Sequence, residues 1–243
     1  MKNKKAVFFD LDGTLVPTDL NKMFEEYWKI LHESELIRMI SQNREEAIEI
    51  FNSAAVGMMQ SSGGRPNSDV FFEHIQNRTS RGKEYFTAAF EEFYKTAFDS
   101  IGWMVEKNGL QREIIDAVRQ KGYRTALATM PVFPVGAAES RLAWVGLASG
   151  DFEHITHWEN ARYMKPHPGY YKEILEKMEL AGEECIMVGN NVKEDMCARE
   201  LGLDVFLVTG YEIGEYQNET FPRGDLWELL AWVGDLPYAE GTV

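Results

Sequence analysis

The sequence predicts an α/β protein with a doubly wound parallel sheet and a helical domain inserted after its first strand. Short apolar runs alternate with helical patterns along most of the chain, which is typical of parallel strands joined by crossover helices. A long segment between the first two runs has helical periodicity only. Polar residues follow several of the runs, at the strand ends where such sheets bind ligands.

Four short apolar runs are predicted to be strands buried on both faces, because they lack the alternation of polar and apolar residues that a half-exposed strand shows. They are 6–9, 123–129, 185–188 and 205–208. The run HITHW at 154–158 is a fifth candidate strand.

Helical patterns separate the later strands, as expected for right-handed crossovers in a parallel sheet. These patterns cover 111–121, 136–146, 168–180 and 192–201. Near the C-terminus, Asp225 and Glu228 have the spacing of a capping box, which predicts that a helix begins there.

The segment from Pro17 to Val105 is predicted to be a helical domain of its own. Apolar residues recur in it at helical spacing, as in Phe24, Tyr27, Trp28 and Leu31, and we expect these stripes to pack internally. The predicted organisation is therefore a core formed by 1–16 and 106–243, with a smaller helical domain of 17–105 over the sheet edge.

The composition argues against several classes of protein. Formal net charge is −14, with 39 acidic and 25 basic residues, which disfavours binding to nucleic acid or to anionic membranes. Two cysteines, Cys185 and Cys197, are too few for a disulfide framework and suit a reducing compartment.

Asp10 interrupts the first apolar run after four residues, which is too short for a signal peptide core. No run approaches the roughly 18 apolar residues of a membrane span. We therefore expect a soluble cytoplasmic protein, and its oligomeric state stays open.

Polar residues at the predicted strand ends form the candidate site. They are Asp10 and Asp12 in DLDGTL, Thr129 in LATMPVFP, Lys165 in MKPHPG, and Asn190 and Asp195 in GNNVKEDM. Each has an ordinary alternative explanation, such as a polar turn, a strand-end hydroxyl, a solvated lysine or a helix cap. A calcium loop would need a third oxygen ligand two residues after Asp12 and a glutamate later, but position 14 is Thr, and Leu15 and Val16 follow.

These motifs occur in the order found in the haloacid dehalogenase-like hydrolase superfamily, which the sequence resembles. The resemblance covers about 1–16 and 106–210, and the motif DLDGTL is highly specific. The helical insertion occupies the position of that superfamily's first cap domain, and ATMPVFP is similar to one of its bacterial phosphatase branches. The resemblance implies a Rossmann-like core with a mobile helical cap.

The resemblance also implies a role for each strand-end residue. Asp10 would bind Mg²⁺ and act as the nucleophile that forms an aspartyl-phosphate. Asp12 would contact the metal through its backbone carbonyl, and its side chain would act as general acid and base. Thr129 would bind phosphoryl oxygens, and Lys165 would neutralise charge on the nucleophile and the phosphoryl group.

On the opposite side of the metal, the resemblance places Asn190 and Asp195. Asn190 stands where many members carry an acid, so weaker metal affinity is expected. Three carboxylates against Lys165 and Mg²⁺ would leave the pocket nearly neutral before a phosphate binds. Two adjacent carboxylates raise each other's pKa unless a cation lies between them. A bound cation would therefore explain why two acids stand together at this strand end.

The predicted function is a Mg²⁺-dependent phosphomonoesterase that acts on a small phosphorylated metabolite. Asp12 favours phosphate chemistry over dehalogenation, because an alkoxide leaving group needs a proton and a halide does not. Dehalogenases of the superfamily lack this second aspartate. A phosphomutase and a phosphonate hydrolase stay open as alternatives, and Lys83 and Lys95 are the cap lysines that a phosphonate hydrolase could use. A non-catalytic phosphate-binding or regulatory protein also stays open, on the basis of Asn190.

Overall fold

A computed structural model describes residues 4–239, so residues 1–3 and 240–243 of the predicted core lie outside the described residues. The described chain contains a six-stranded sheet in the order β3-β2-β1-β4-β5-β6, with every neighbouring pair parallel. The strands are β1 (Ala6–Phe9), β2 (Arg124–Leu127), β3 (His154–Ile155), β4 (Cys185–Gly189), β5 (Asp204–Val208) and β6 (Arg223–Gly224). The predicted doubly wound parallel fold is confirmed.

The central strands form because their apolar side chains are buried on both faces of the sheet. In β1, Val7 and Phe9 join the apolar cluster on one face, and Ala6 and Phe8 join the cluster on the other. All four side chains are fully buried. A run without polar alternation is therefore what this position in the sheet requires.

Among residues 4–239, four α-helices flank the sheet and five more lie in the insertion between β1 and β2. The core helices are α6 (Leu110–Gln120), α7 (Val135–Trp144), α8 (Pro168–Met178) and α9 (Leu226–Asp235). The inserted helices are α1 (Leu20–Glu33), α2 (Glu35–Ile40), α3 (Arg44–Met59), α4 (Asn67–Thr79) and α5 (Lys83–Lys95). Short 3-10 helices lie at Asp99–Met104, Ser149–Asp151, Gly182–Glu184 and Met196–Leu201.

The predicted capping box of α9 is present, because Asp225 and Glu228 bind each other's backbone N–H groups. None of the helices within residues 4–239 has the length and apolar character needed to cross a membrane.

Trp158 is one of several core residues against which the helical cap packs. Trp158 follows β3 in the core, and its ring centroid lies 5.2 Å from that of Phe71, 5.5 Å from that of Phe72 and 5.2 Å from that of Phe90. The N–H of Ser68, on α4, donates to the Trp158 carbonyl at 2.9 Å. The cap therefore rests closed on the core, with an indole from one part buried among phenyl rings of the other.

The structure corrects the prediction of a helix over 192–201. The segment begins with a turn, and a 3-10 helix covers only Met196–Leu201. The Asn191 side-chain oxygen accepts hydrogen bonds from the N–H groups of Lys193 and Glu194, both at 3.1 Å. This local pairing competes with helical hydrogen bonding at the start of the segment. The fifth predicted strand, over 154–158, is also shorter than expected and pairs only at His154–Ile155.

Candidate active site

Asp10 lies at the carboxyl end of β1, where the strand leaves the sheet. Its N–H donates to the Val188 carbonyl at 2.8 Å, so the backbone of β4 fixes its position. The residue is 7% exposed, and its carboxylate faces the cavity under the cap. A buried carboxylate requires charged or hydrogen-bonding partners, and Lys165 and the Thr14 hydroxyl supply them.

Gly13 allows the turn after β1 to approach the β4 end closely. Its φ is +79°, and a Cβ built on it would lie 2.1 Å from Nδ2 of Asn190. Another residue at position 13 would therefore displace Asn190 as well as strain the backbone.

The side chain of Asn190 is held by two hydrogen bonds. Its Nδ2 donates to the carbonyl of Tyr211 at 2.7 Å, which leaves Oδ1 to accept from the hydroxyl of Thr14 at 3.2 Å. The same hydroxyl lies 3.4 Å from Oδ2 of Asp10. Two acceptor oxygens from different strands therefore converge on one hydroxyl group, which has a single proton to donate.

Lys165 links the two acids at the ends of β1 and β4. Its Nζ donates to Oδ1 of Asp10 at 2.8 Å and to Oδ1 of Asp195 at 2.6 Å. The lysine side chain is 1% exposed, and Nζ also lies 5.7 Å from the ring centroid of Tyr170. Burial opposes the charged form, but the two carboxylates outweigh it and raise the pKa of Lys165. We therefore expect this lysine to stay protonated.

Asp195 is held in place by the turn that follows β4. Its Oδ2 accepts from the N–H of Asn191 at 2.9 Å. Burial raises the pKa of Asp195 and Asp10 adds to the effect, while Lys165 opposes it, and the resulting pKa is about 6. Gly189 leaves room for this carboxylate, because a Cβ there would lie 2.3 Å from the Asp195 Cγ.

Asp12 forms an ion pair with Arg141, a residue on α7. Nη1 of Arg141 donates to Oδ2 of Asp12, and Nε donates to the Ala137 carbonyl at 2.8 Å. Oδ1 of Asp12 is buried without a hydrogen-bond partner among the described residues. Burial raises the pKa of Asp12, the charge of Arg141 opposes this, and Asp10 adds to the rise.

Thr129 follows β2 and lines the same cavity. Its carbonyl accepts hydrogen bonds from the hydroxyls of Tyr170 at 2.8 Å and Thr156 at 2.7 Å, so the end of β2 is rigidly held. The structure thus brings the predicted site residues at the ends of β1, β2 and β4 to one cavity. Asp10, Asp12, Thr129, Asn190 and Asp195 line it, and Lys165 lies behind Asp10 and Asp195.

The oxygens at the strand ends fit a hard cation such as Mg²⁺. Oδ2 of Asp10 and Oδ1 of Asn190 both face the Thr14 hydroxyl, and the carboxylates of Asp10 and Asp195 share one lysine. Residues 4–239 contain no group of three or more His, Cys, Asp or Glu side chains that could hold a metal. The donor set here instead combines carboxylates with an amide oxygen, which Mg²⁺ also accepts.

Arg141 and a tyrosine pair are functional candidates that the sequence reasoning missed. The hydroxyl groups of Tyr27 and Tyr94 lie 3.1 Å apart, and both residues line the cavity together with Arg141. Arg141 adds a positive charge that the predicted charge balance did not contain. Its signal was available, because Arg141 shares the buried face of α7 with Ala137 and Ala138.

The comparisons with known proteins identify the family. Residues 4–202 match the haloacid dehalogenase-like hydrolase family, and the chain belongs to it. It is therefore a hydrolase of that family, as the sequence predicted. Among the similar relatives is the glyceraldehyde 3-phosphate phosphatase of Pyrococcus furiosus, which is 25% identical over 84% of this chain and 80% of its own length.

Solved structures show the same fold. A phosphatase of this family from Thermococcus onnurineus is 18% identical with a TM-score of 0.58, over 95% of this chain and 98% of its own. The L-2-haloacid dehalogenase of Xanthobacter autotrophicus is 14% identical with a TM-score of 0.55, over 96% and 99%. Because proteins of both activities share the fold, the choice between the activities depends on the site residues.

Proposed function

We propose that the protein is a Mg²⁺-dependent phosphomonoesterase that hydrolyses a small phosphorylated metabolite through an aspartyl-phosphate. The observation that carries the proposal is the pairing at the end of β1. The Asp10 carboxylate is held by Lys165 at 2.8 Å, and Asp12, two residues later, faces the same cavity. A relative named for the hydrolysis of glyceraldehyde 3-phosphate supports a small phosphate ester as the substrate.

Four residues would hold Mg²⁺. They are Asp10 and Asp195 through their carboxylates, Asn190 through its amide oxygen and Asp12 through its backbone carbonyl. Bound there, the ion would act as a Lewis acid that neutralises charge on the phosphoryl oxygens. The side chains of the protein carry out the remaining chemistry.

In the first half-reaction, a carboxylate oxygen of Asp10 attacks phosphorus and the ester P–O bond breaks. Asp12 donates its proton to the leaving alkoxide. In the second half-reaction, Asp12 takes a proton from water, the water oxygen attacks phosphorus, and the bond to Asp10 breaks. Lys165 and Thr129 position the phosphoryl group and stabilise its charge throughout.

We also propose that residues 17–105 form the cap domain, that 1–16 and 106–243 form the catalytic core, and that the protein works in the cytoplasm. A cap that closes over the phosphate excludes water from the aspartyl-phosphate until the alcohol has left. The contacts around Trp158 are consistent with this closed arrangement.

The site residues argue against two of the alternatives, a phosphonate hydrolase and a dehalogenase. A phosphonate hydrolase would need a cap lysine in the cavity, but the described residues that line it include no lysine. Lys83 instead binds Ser68 at 3.0 Å and Asp69 at 3.2 Å. Dehalogenation would not require Asp12 as a general acid, since halide departs without a proton.

The test is hydrolysis of p-nitrophenyl phosphate with Mg²⁺ and with chelator, using wild type and Asp10→Asn. The matched control is Asp235→Asn, because Asp235 is exposed at the end of α9. Wild type and control should hydrolyse the ester with Mg²⁺ and lose activity with chelator, and Asp10→Asn should be slower by about a thousandfold or more. Equal rates for Asp10→Asn and wild type would refute the proposal.

A further inference from the structure

We infer that the preferred substrate is the monophosphate ester of an uncharged apolar alcohol, with an aromatic or alicyclic group of six to ten carbons. This inference rests on the proposed function, and it concerns the part of the cavity that would receive the leaving group. The cavity has a volume of about 340 Å³ and reaches from the strand ends into the cap, which is enough for a small ligand.

The wall opposite the strand ends is apolar and mostly aromatic. Helices α1, α3 and α4 contribute Phe24, Trp28, Phe51, Met58 and Phe71 to it, and the core contributes Trp158. These side chains come from four separate segments, so they do not form one exposed helix face. We call the part of the cavity that they line the chamber. A ring or short alkyl group placed there would leave water and contact aromatic faces.

Most polar groups of the chamber already have partners, and the exceptions among the described lining residues include the indole N–H of Trp158 and Oδ1 of Asp12. The hydroxyls of Tyr27 and Tyr94 lie 3.1 Å apart and bind each other. Arg141 is bound to Asp12 and to the Ala137 carbonyl. A polyhydroxylated leaving group would therefore lose its hydrogen bonds to water and find few in return, which reduces its affinity.

The charge of the chamber argues in the same direction. Arg141 is the single cationic side chain among the described residues that line the cavity, and Asp12 neutralises it. Glu194 also lines the cavity, where a second anion would meet a like charge. A substrate with a carboxylate or a second phosphate would meet no unpaired cation there, so the rest of the molecule should be neutral.

The experiment compares cyclohexyl phosphate with inositol 1-phosphate, which has the same carbon ring with five added hydroxyl groups. We expect kcat/KM for cyclohexyl phosphate to be at least tenfold higher, although inositol is the better leaving group. In the series ethyl, propyl and butyl phosphate, kcat/KM should rise about fourfold for each methylene group. Equal or higher kcat/KM for inositol 1-phosphate would overturn the inference and leave the proposed function standing.

A binding measurement separates the inference from the proposed function. With Asp10→Asn and Mg²⁺, calorimetry should show cyclohexyl phosphate binding at least tenfold more tightly than inorganic phosphate, and inositol 1-phosphate binding no more tightly than inorganic phosphate. If wild type hydrolysed no ester, the proposed function would be refuted, but this binding result would still show that the chamber prefers an apolar monophosphate ester as its ligand. Equal affinities for the three ligands would overturn the inference.

A pair of variants locates the effect in the chamber. Phe24→Gln places a polar side chain on the half-buried wall and should reduce the preference for cyclohexyl phosphate by about tenfold. Val56→Gln is the control, because Val56 is 51% exposed on α3 and lies outside the cavity lining. If folded Phe24→Gln kept the wild-type preference for cyclohexyl phosphate over inositol 1-phosphate, the chamber would not be the site that binds the leaving group.

Discussion

Arg141 on α7 donates a hydrogen bond from Nη1 to Oδ2 of Asp12, in the turn that follows β1. The guanidinium group is itself held by the Ala137 carbonyl and lies 5.4 Å from the ring centroid of Phe133. Asp12 thus has a fixed orientation in which one carboxylate oxygen is bound and the other is free to exchange a proton. We regard Arg141 as a positioning residue for the proposed acid and base.

Replacing Arg141 by Met should lower kcat by about tenfold to a hundredfold, because Asp12 would lose its orientation, whereas KM should change little. Arg141→Lys should restore part of kcat. Steady-state kinetics with p-nitrophenyl phosphate, together with the thermal unfolding midpoint, would separate positioning from folding. Wild-type kcat in folded Arg141→Met would contradict this role.

Replacing Lys165 by Met should lower the free energy of unfolding by about 3–5 kcal/mol, because two buried carboxylates would lose their common cation. Adding Asp195→Asn to this variant should recover part of the loss. Urea unfolding at pH 7 measures both effects. Lys172→Met is the control, since Lys172 is exposed on α8. If Lys165→Met and Lys172→Met unfolded at the same urea concentration, the buried bridge would have no structural importance.

Replacing Asn190 by Asp should have opposite effects with and without metal. Without Mg²⁺, a carboxylate in place of the amide would face the Tyr211 carbonyl, and the lost hydrogen bond should cost about 1–3 kcal/mol of stability. With Mg²⁺, the added charge should lower the concentration needed for half-maximal activity by about tenfold. Thermal unfolding and activity, each titrated with Mg²⁺, test the two effects. Unchanged Mg²⁺ dependence would show that position 190 does not contact the metal.

The ion pairs of Asp151 should make stability depend on pH. Its carboxylate accepts from Arg112 at 2.8 Å and from Arg119 at 3.0 Å, both on α6. Burial opposes the charged form, but the hydrogen bond from Arg112, the Ala148 N–H and the two positive charges together lower the pKa of Asp151. A lowered folded-state pKa stabilises the protein above the unfolded-state value of about 4, and the contribution is lost as pH falls below it.

Asp151→Asn should therefore be less stable than wild type by about 1–3 kcal/mol at pH 7, and the difference should shrink below about pH 4. Urea unfolding at pH 7, 5, 4 and 3.5 would show this. Asp235→Asn, at an exposed position at the end of α9, should differ little from wild type at any of these values. If the difference in unfolding free energy between Asp151→Asn and wild type grew on acidification, the prediction would be wrong.

The central strands could be predicted because burial on both faces leaves a plain signature of unbroken apolar residues, as in β1 and β4. The strand Arg223–Gly224 has no such signature, since it is two residues long and owes its place to pairing with β5. The helix predicted over 192–201 was wrong at its start because the Asn191 side chain binds the backbone locally. Periodicity alone does not reveal that competition.

The strand-end acids could be placed from sequence because parallel strands end at the same edge of a sheet. The chamber could not, because a helix face that borders a cavity has the same apolar spacing as one that borders a core. Phe24 and Trp28 were expected to pack internally, which is confirmed, and they line the cavity as well. Arg141 was overlooked for a related reason, since a charge on a helix is ordinarily solvated.

The burial of Trp158 under the cap provides a way to follow ligand entry. Its ring is 3% exposed and is surrounded by Phe71, Phe72 and Phe90 of the cap, so lifting the cap would transfer this indole into water. Indole emission shifts to longer wavelength in water. A movement of the cap would therefore change the emission of Trp158, so in a variant without the other five tryptophans ligand entry could be timed without an attached dye.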